Sequence, residues 1–308
     1  MNKHKLIRRL QKFLQWRKLD AFKLLYALHS VNPPLIRYYY VLYLFCLVPL
    51  SALRLSTRAI EVLFNRVAKT ILSRTSCLVK YKLREDIWIA FSVPDLESIE
   101  IVSPLFEFTN LNLIVALIKK FGCEGTFIDC GSHVGKYSIT LSKMYPSLKI
   151  VAIEPNKVNF MHLLRNIRIN NVGNVIAIKR ALYSCKGLMK LFVSDFLGRH
   201  SIMFKRGKVF EVVQATTLDE IVTTLRLKPV IIKIDVEGAE KHVIRGARAT
   251  LTRYKPVVLV EVNDKGVFKE LAEIGYKCSY LRELLTGDVT PYALCVATKH
   301  SSSTLMST

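Results

Sequence analysis

The stretch FIDCGSHVGKYS at positions 127–138 constrains the fold of this chain more than any other. The apolar run that ends at Cys130 predicts a buried strand, and the spacing of apolar residues from Val134 onward predicts a helix. Gly131 and Gly135 stand between them, where the backbone must adopt conformations closed to bulkier residues. A strand, a glycine-containing turn and a helix in direct succession form a βα unit, and α/β sheets bind ligands at the carboxyl ends of such strands.

Two acidic residues indicate which ligand suits this turn. Asp129 ends the predicted strand, where a carboxylate suits a cationic amino group, and free amides at the helix N-terminus suit a carboxylate. Glu154 ends the next predicted strand, 23 residues beyond Gly131. This is close to the spacing at which an acidic residue accepts hydrogen bonds from a ribose diol. An amino acid joined to a nucleoside, as in S-adenosylmethionine (SAM), meets both requirements; a turn that only packs, without a ligand, is the alternative.

The spacing of the turn excludes two other nucleotide-binding motifs. A P-loop needs four residues between its glycines and then Lys followed by Ser or Thr. Only three residues separate Gly131 from Gly135, and Tyr137 follows Lys136. A nicotinamide-binding fingerprint needs a middle glycine, and the corresponding position is occupied by His133.

The sequence after this turn alternates apolar runs with longer amphipathic segments, which predicts a mostly parallel sheet covered by helices on both faces. The predicted strands are Lys149–Ile153, Val175–Ala181, Val230–Ile234 and Val257–Val262, and the predicted helices are Val134–Met144, Lys157–Asn170, Ala239–Tyr254 and Val267–Ile274. Two antiparallel pairs are predicted as well: Met189–Val193 with Val209–Val213, and Lys277–Leu281 with Leu294–Thr298. We place this domain at residues 86–300 and a disordered tail at residues 301–308.

Residues 1–85 form a basic N-terminal arm. They contain 17 Lys and Arg against 3 acidic residues, which is +14 of the net charge of +22. The pattern is helical as far as residue 85, and residues 38–53 carry no charge. That run is short of the roughly 20 residues of a spanning helix. Three interpretations stay open: membrane contact through residues 1–55 by a surface helix with a short anchor, a helical cap on the domain, and an RNA-binding arm.

The seven cysteines are scattered and contain no CxxC pair. This distribution argues against a zinc cluster and a disulfide scaffold, and we expect reduced thiols. Together with the arm, it leads us to expect a cytoplasmic, membrane-associated protein.

The motifs, read in order, resemble the FkbM family of SAM-dependent methyltransferases. The resemblance covers roughly residues 124–263 and is carried by FIDCGSHVGKYSITLS, VAIEPNKVNFMHLLRNIRINNVGNV, ALYSCKG, TTLDEI, IIKIDVEGAEKHVIRGA and KPVVLVEV. It implies the class I methyltransferase fold, a Rossmann-like, doubly wound α/β sheet of seven strands with an antiparallel C-terminal hairpin. It also implies SAM as methyl donor and O-methylation of a hydroxyl. One departure is His133, where asparagine is commoner; either side chain can donate to the cofactor carboxylate.

The residues predicted to bind SAM cluster at the carboxyl ends of the first three strands of the domain. The adenine ring is expected near residues 180–182. The full set is Asp129, Gly131, Ser132, His133, Gly135, Glu154, Pro155, Asn156 and Ala181.

The predicted catalytic residues lie in the motif KIDVEGAE and in one loop. Methyl transfer to a hydroxyl needs positioning and a base for the hydroxyl proton, and Asp235 and Glu237 can reach the same side of the cleft. Helix capping is the alternative role for Glu237. Glu261 could join these two carboxylates around a divalent ion, but no histidine accompanies them and we assign no metal. His200, between the two predicted strands of the first antiparallel pair, is a further candidate base.

The expected function is O-methylation of a hydroxyl on a glycan, glycolipid or similar small molecule. A nucleic-acid methyltransferase is disfavoured, because the relevant strand ends in KIDVEG and lacks the Asn/Asp-Pro-Pro-aromatic pattern of exocyclic amine methylation. A non-catalytic, membrane-docked SAM-binding module is a third hypothesis, and the intact Asp129, Glu154 and Asp235 argue against it.

Overall fold

The computed structural model describes residues 31–32, 78–84, 86–92, 107–193, 201–203, 209–284 and 287–298. The chain divides into two compact units, residues 1–106 and residues 107–308. The apolar run at 38–53, His200 and the tail at 301–308 lie outside the described residues, so the predictions for them stay predictions. No helix in the described ranges is both long enough and apolar enough to cross a bilayer.

The described part of the first unit is a three-stranded antiparallel sheet. Its strands are β1 (Val31–Asn32), β2 (Leu78–Arg84) and β3 (Ile87–Ser92), in that order. The prediction of helix up to residue 85 is wrong for β2. Its sequence LVKYKLR alternates apolar and basic residues with the period of a strand.

The second unit is built around a seven-stranded sheet. It begins with α1 (Phe108–Phe121), β4 (Thr126–Cys130), α2 (Lys136–Met144), β5 (Lys149–Ile153), α3 (Lys157–Ile169) and β6 (Val175–Ile178). A smaller sheet follows, made of β7 (Ala181–Leu182), β8 (Gly187–Val193) and β9 (Val209–Thr216). The remaining elements are α4 (Leu218–Thr224), β10 (Pro229–Ile234), α5 (Glu240–Arg245), α6 (Arg248–Tyr254), β11 (Val257–Glu261), α7 (Gly266–Glu273), β12 (Tyr276–Arg282) and β13 (Val289–Ala297).

The strand order of the large sheet is β12-β13-β11-β10-β4-β5-β6. The neighbours from β11 to β6 are parallel, and β13 is antiparallel to both β11 and β12. This order confirms the predicted class I methyltransferase fold. It also brings the carboxyl ends of β4, β5 and β10 side by side at one edge, where a ligand is expected.

Alternate residues of the central strands supply the two halves of the core. Phe127, Ile150 and Ile231 pack with side chains of α1 and α2. Ile128, Val151 and Ile232 pack on the opposite face with side chains of α4, α5, α6 and α7. Both faces are therefore buried, which explains why these strands read as continuous apolar runs rather than alternating ones.

Four local predictions need correction. The helix predicted over residues 239–254 is two helices, because Gly246 packs against Tyr183: a β-carbon there would stand 2.2 Å from the Tyr183 carbonyl oxygen. The strand predicted over residues 175–181 ends at Ile178, and Ala181 pairs instead with β9 in the smaller sheet. The helix predicted from Val134 begins at Lys136.

The fourth correction concerns the cysteines. Cys278 and Cys295 are directly opposite one another in β12 and β13, with Cα atoms 4.1 Å apart, and form a disulfide. The expectation of reduced thiols throughout is wrong for this pair. Both predicted antiparallel pairs are confirmed. The pairing of β12 with β13 is what places the two cysteines opposite each other.

Candidate active site

The turn after β4 is held by backbone geometry that glycine makes accessible. Gly131 and Gly135 have φ values of 82° and 91°, and His133 between them has a φ of 52°. The amides of Gly131 and Ser132 both donate to the Ile153 carbonyl at 3.0 Å, which ties the turn to the end of β5. The left-handed conformations at the glycines postpone the helix start to Lys136.

Asn166 fixes the other side of this turn. Its side-chain amide, fully buried on α3, donates to the Val134 carbonyl at 2.8 Å. Gly135 packs on the same helix, since a β-carbon there would stand 2.6 Å from Leu163 Cδ1. Asn166 lies in the motif VAIEPNKVNFMHLLRNIRINNVGNV, but Val134 is 32 positions away in the sequence, so local spacing gives no signal of this contact.

Asp129 is fully buried beside the turn. Its Oδ2 accepts a hydrogen bond from Ser138 Oγ at 2.7 Å, and its Oδ1 has no hydrogen-bond partner within the described residues. Burial raises the pKa of Asp129, although Lys233 opposes that shift. The Ser132 hydroxyl is likewise buried without a partner in that part of the chain. Buried polar atoms are normally hydrogen-bonded, so these two atoms fit a ligand with an amino group and a carboxylate, as SAM has.

Glu154 braces the turn from the end of β5. It is 5% exposed, and its two carboxylate oxygens accept the backbone amides of His133 at 2.9 Å and Asn156 at 3.0 Å. Burial raises the pKa of Glu154 to about 7. Each carboxylate oxygen offers more than one lone pair, so these bonds leave acceptor capacity for the predicted ribose contact.

The other residues predicted to bind SAM, Asn156, Pro155 and Ala181, make contacts within the protein that the structure shows. The Asn156 side chain caps α3 by accepting the amides of Val158 and Asn159, each at 3.0 Å. Pro155 is half-buried next to it. Ala181 is buried against side chains of the smaller sheet. Their contact with SAM stays a prediction.

Asp235 follows β10 and is held by a cation and a phenol. Lys233 Nζ lies 2.7 Å from Asp235 Oδ2, and the Tyr292 hydroxyl donates to the same oxygen at 2.8 Å. Burial by itself would raise the pKa of Asp235, but the Lys233 charge and its hydrogen bond, with further donors, lower it. Asp235 is therefore an ionised carboxylate whose side chain is still 20% exposed at the edge of the sheet.

Two residues that help to hold Asp235 and its neighbours, Glu107 and Tyr292, lie outside the sequence motifs. Glu107, just before α1, accepts a hydrogen bond from the Tyr137 hydroxyl at 2.7 Å, and it shares the single proton of the Tyr292 hydroxyl with Asp235. Tyr292 is 4% exposed and pairs with Glu261 across β13 and β11. Tyr292 and Glu107 are 185 positions apart in the sequence, so only the folded sheet brings them together.

Three carboxylates converge after β10 and β11, as the motif predicted. One oxygen each of Asp235, Glu237 and Glu261 lies within 4.8 Å of the others. Burial, and then the charges of Asp235 and Glu237, raise the pKa of Glu261 to about 9. The cluster has the oxygen ligands of a hard cation, yet its charge is already partly neutralised by Lys233, which pairs with Asp235.

The turn that carries Glu237 is supported from two sides. Glu237 has a φ of 55°, and its carbonyl accepts the Ser201 hydroxyl at 2.6 Å. Glu240 Oε1 accepts the amides of Gly238 at 2.9 Å and Val236 at 3.3 Å, so Glu240 holds the turn at the start of α5.

The strand order and the glycine-containing turn define a class I methyltransferase domain. The family model described as Methyltransferase FkbM domain matches residues 129–285. The chain belongs to this family, as the motifs predicted.

Individual relatives resemble only part of the chain. Methyltransferase 1 of Beauveria bassiana (strain ARSEF 2860) is 24% identical over 153 residues, which are 42% of this chain and 61% of that protein. Methyltransferase sdnD of Sordaria araneosa is 28% identical over 152 residues, 39% of this chain and 59% of that protein. The chain thus covers less than two thirds of the length of either relative. The crystal structure of methyltransferase FkbM from Methylobacillus flagellatus KT gives a TM-score of 0.42 at 15% identity, over 66% of this chain and 56% of that one.

Proposed function

We propose that this protein transfers the methyl group of SAM to a hydroxyl group of a glycan, glycolipid or similar small molecule. The observation that carries the proposal is the backbone contact between the glycine-containing turn and Asp235, the residue that carries the candidate catalytic carboxylate. The Asp235 amide donates to the Cys130 carbonyl at 3.0 Å, and Gly131 packs on the Asp235 backbone. Donor and acceptor sites therefore meet at one point of the sheet edge.

The cofactor end of this site follows from the turn. SAM supplies, when bound, an electrophilic methyl group on a sulfonium. Asp129 Oδ1 offers an acceptor for its ammonium, the Ser132 hydroxyl offers a donor for its carboxylate, and Glu154 offers acceptors for its ribose. A buried carboxylate with one unpaired oxygen gains a charge-assisted hydrogen bond from an ammonium.

The acceptor end follows from Asp235. An ionised carboxylate within hydrogen-bond reach of a hydroxyl can orient that hydroxyl and take its proton as the new bond to carbon forms. Lys233 and Tyr292 fix the orientation of the carboxylate by holding one oxygen. An acceptor hydroxyl would meet this carboxylate on the side where Glu237 and Glu261 lie.

Nucleic acid is the second candidate acceptor, and the charge of +22 is the observation that favours it. Positive charge indicates an anionic partner but does not say which one. The motif KIDVEG, without an Asn/Asp-Pro-Pro-aromatic sequence, supports the hydroxyl over an exocyclic amine.

One experiment separates these candidates. The protein is incubated with SAM labelled in the methyl group and with separate lipid, glycan and RNA extracts, and the labelled fraction is identified. Label in the lipid or glycan fraction supports the proposal, and label in RNA alone overturns it.

Isothermal titration with SAM, on the wild type and on Asp129→Ala and Glu154→Ala, tests the cofactor separately; equal affinity in all three proteins would remove SAM from the proposal.

The basic arm has its own test. We propose that residues 1–55 contact a membrane surface, because basic residues alternate there with apolar ones. Deleting these residues should move the protein from the membrane fraction to the supernatant. A full-length protein that is already in the supernatant without detergent would exclude this role.

A further inference from the structure

The hairpin of β8 and β9 has one buried face and one exposed face. Leu191, Val213 and Ala215 point to the buried side, where they pack with Ala181. The opposite side carries the cross-strand pairs Leu188 with Gln214, Lys190 with Val212, and Phe192 with Phe210. These six residues are called the hairpin face below.

The hairpin face is apolar, aromatic and cationic. Leu188 is 72% exposed, Val212 58% and Phe210 45%. Phe192 packs edge-to-face on Phe210 with ring centroids 6.3 Å apart, and Lys190 Nζ lies 4.5 Å from the centre of the Phe210 ring. None of the six residues is acidic. Large apolar side chains concentrated on one exposed strand surface indicate an interaction site.

We propose that the hairpin face docks on an anionic lipid surface. Aromatic rings and aliphatic side chains enter the boundary between headgroups and acyl chains, while a lysine keeps its ammonium among the phosphates. The connection between the strands, residues 194–208, adds four basic residues and one acidic residue in sequence. The net charge of +22 favours an anionic surface as well.

A second copy of the chain fits this face less well. A twofold dimer brings the same patch of both copies together. Lys190 would then lie near its counterpart with no carboxylate on the hairpin face to neutralise the pair. A surface of lipid phosphates has the complementary charge.

The hairpin is tied to the candidate active site. Phe192 exchanges two backbone hydrogen bonds with Ser201, at 2.8 and 3.1 Å, and the Ser201 hydroxyl donates to the Glu237 carbonyl. A docked hairpin therefore places the turn of Glu237 near the lipid surface. The methyl acceptor would then be a hydroxyl in the headgroup region of a membrane amphiphile, an extension that rests on the proposed function.

The docking is tested with a tryptophan placed on the hairpin face. Full-length Phe210→Trp is mixed with vesicles of phosphatidylcholine, with or without phosphatidylglycerol, in which the phosphatidylcholine carries brominated acyl chains. We expect binding to the anionic vesicles and quenching beyond that of the two native tryptophans, because the new indole enters the bilayer. Val289→Trp, on an exposed position of β13, is the matched control and should add no quenching.

This readout separates the hairpin from the basic arm. If the protein binds vesicles but Trp emission at position 210 is not quenched, the arm does the binding and the hairpin proposal is wrong. Absence of binding to anionic vesicles also overturns the proposal. The same holds if the protein does not bind vesicles but forms a dimer that Leu188→Glu with Val212→Glu abolishes.

A second set of variants measures the strength of docking. Leu188→Glu with Val212→Glu should weaken partition into anionic vesicles at least about tenfold, because both apolar contacts are lost. Lys190→Gln should weaken it about fivefold, the effect of one cation near a charged surface. Leu284→Glu, at an equally exposed position, should leave partition unchanged. Docking without any methyl transfer would refute the proposed function and leave the docking proposal intact.

Discussion

Gly131 lies so close to Asp235 that a β-carbon on Gly131 would stand 1.8 Å from the Asp235 carbonyl oxygen. The glycine-containing turn and the end of β10 are thus in backbone contact. Gly131→Ala should abolish SAM binding and lower the melting temperature by more than about 4 °C, since it adds both a clash and a left-handed alanine. Calorimetry and thermal unfolding measure the two effects.

The control for that variant is Gly173→Ala, because nothing lies within 4 Å of a β-carbon at Gly173. Gly173→Ala should keep the wild-type melting temperature and SAM affinity. A Gly131→Ala protein that binds SAM normally would show that the turn can move away from Asp235 at little cost.

Asp129→Asn tests the unpaired carboxylate oxygen. The variant keeps the shape of the side chain and removes its charge, so SAM affinity should fall about 10- to 100-fold, the value of one charge-assisted hydrogen bond. Titration calorimetry measures the affinity. Asp264→Asn, at a surface carboxylate paired with Lys241, should bind SAM like the wild type; an equal loss in both variants would speak against a contact from Asp129.

Glu154 should make stability depend on pH. Its pKa is raised to about 7 in the folded protein from the ordinary 4.5, so the folded state holds the proton more tightly than the unfolded state. The stabilisation by protonated Glu154 is complete below about pH 4.5 and is lost as pH rises through about 7. Over this range Glu154 lowers the free energy of unfolding by about 3 kcal/mol.

Urea unfolding of the wild type and Glu154→Gln at about pH 5 and about pH 8 checks this dependence. The wild type should lose more stability between the two pH values than Glu154→Gln does. An equal loss of stability in the two proteins would mean that Glu154 is ionised in the folded wild type at both pH values.

Asp235→Asn and Glu237→Gln distinguish the two candidate bases. With labelled SAM and the extract fraction that the wild type labels, Asp235→Asn should lower kcat about 10²- to 10⁴-fold without changing the affinity for SAM. Glu237→Gln should have a smaller effect, because Asp235 is the group held in ionised form by Lys233 and Tyr292. The opposite ranking would make Glu237 the base. Thermal unfolding of both variants checks that loss of the Lys233 pair has not unfolded the protein.

Activity should not require a divalent metal. Lys233 Nζ already lies 2.7 Å from Asp235 Oδ2 and supplies the positive charge that a metal ion would otherwise bring to these carboxylates. Chelation with EDTA should therefore leave methyl transfer unchanged, and calorimetry should detect no Mn²⁺ binding that Glu261→Gln removes. Activity lost with EDTA and restored by Mn²⁺ would assign the three carboxylates to a metal.

The strands of the seven-stranded sheet from β4 onward and the glycine-containing turn were predictable from the sequence, because they depend on local spacing, whereas β7 was not. Apolar runs, glycines and strand-terminal acids lie within a few positions of each other, and α/β folds place strand ends at one edge. The break between α5 and α6 had no such signal. Val243, Ile244, Ala247 and Leu251 keep helical spacing across it, and the contact with Tyr183 decides where the helix ends.

The sequence by itself determined the class of domain, the glycine-containing turn after β4 and the three carboxylates after β10 and β11. Only the tertiary structure decided how those carboxylates are held. Tyr292 reaches Asp235 and Glu107 because β13 inserts between β11 and β12. Contacts between residues 57 and 185 positions apart leave no periodic pattern in the sequence. The hydrogen bonds of Tyr292 therefore form only when the sheet forms.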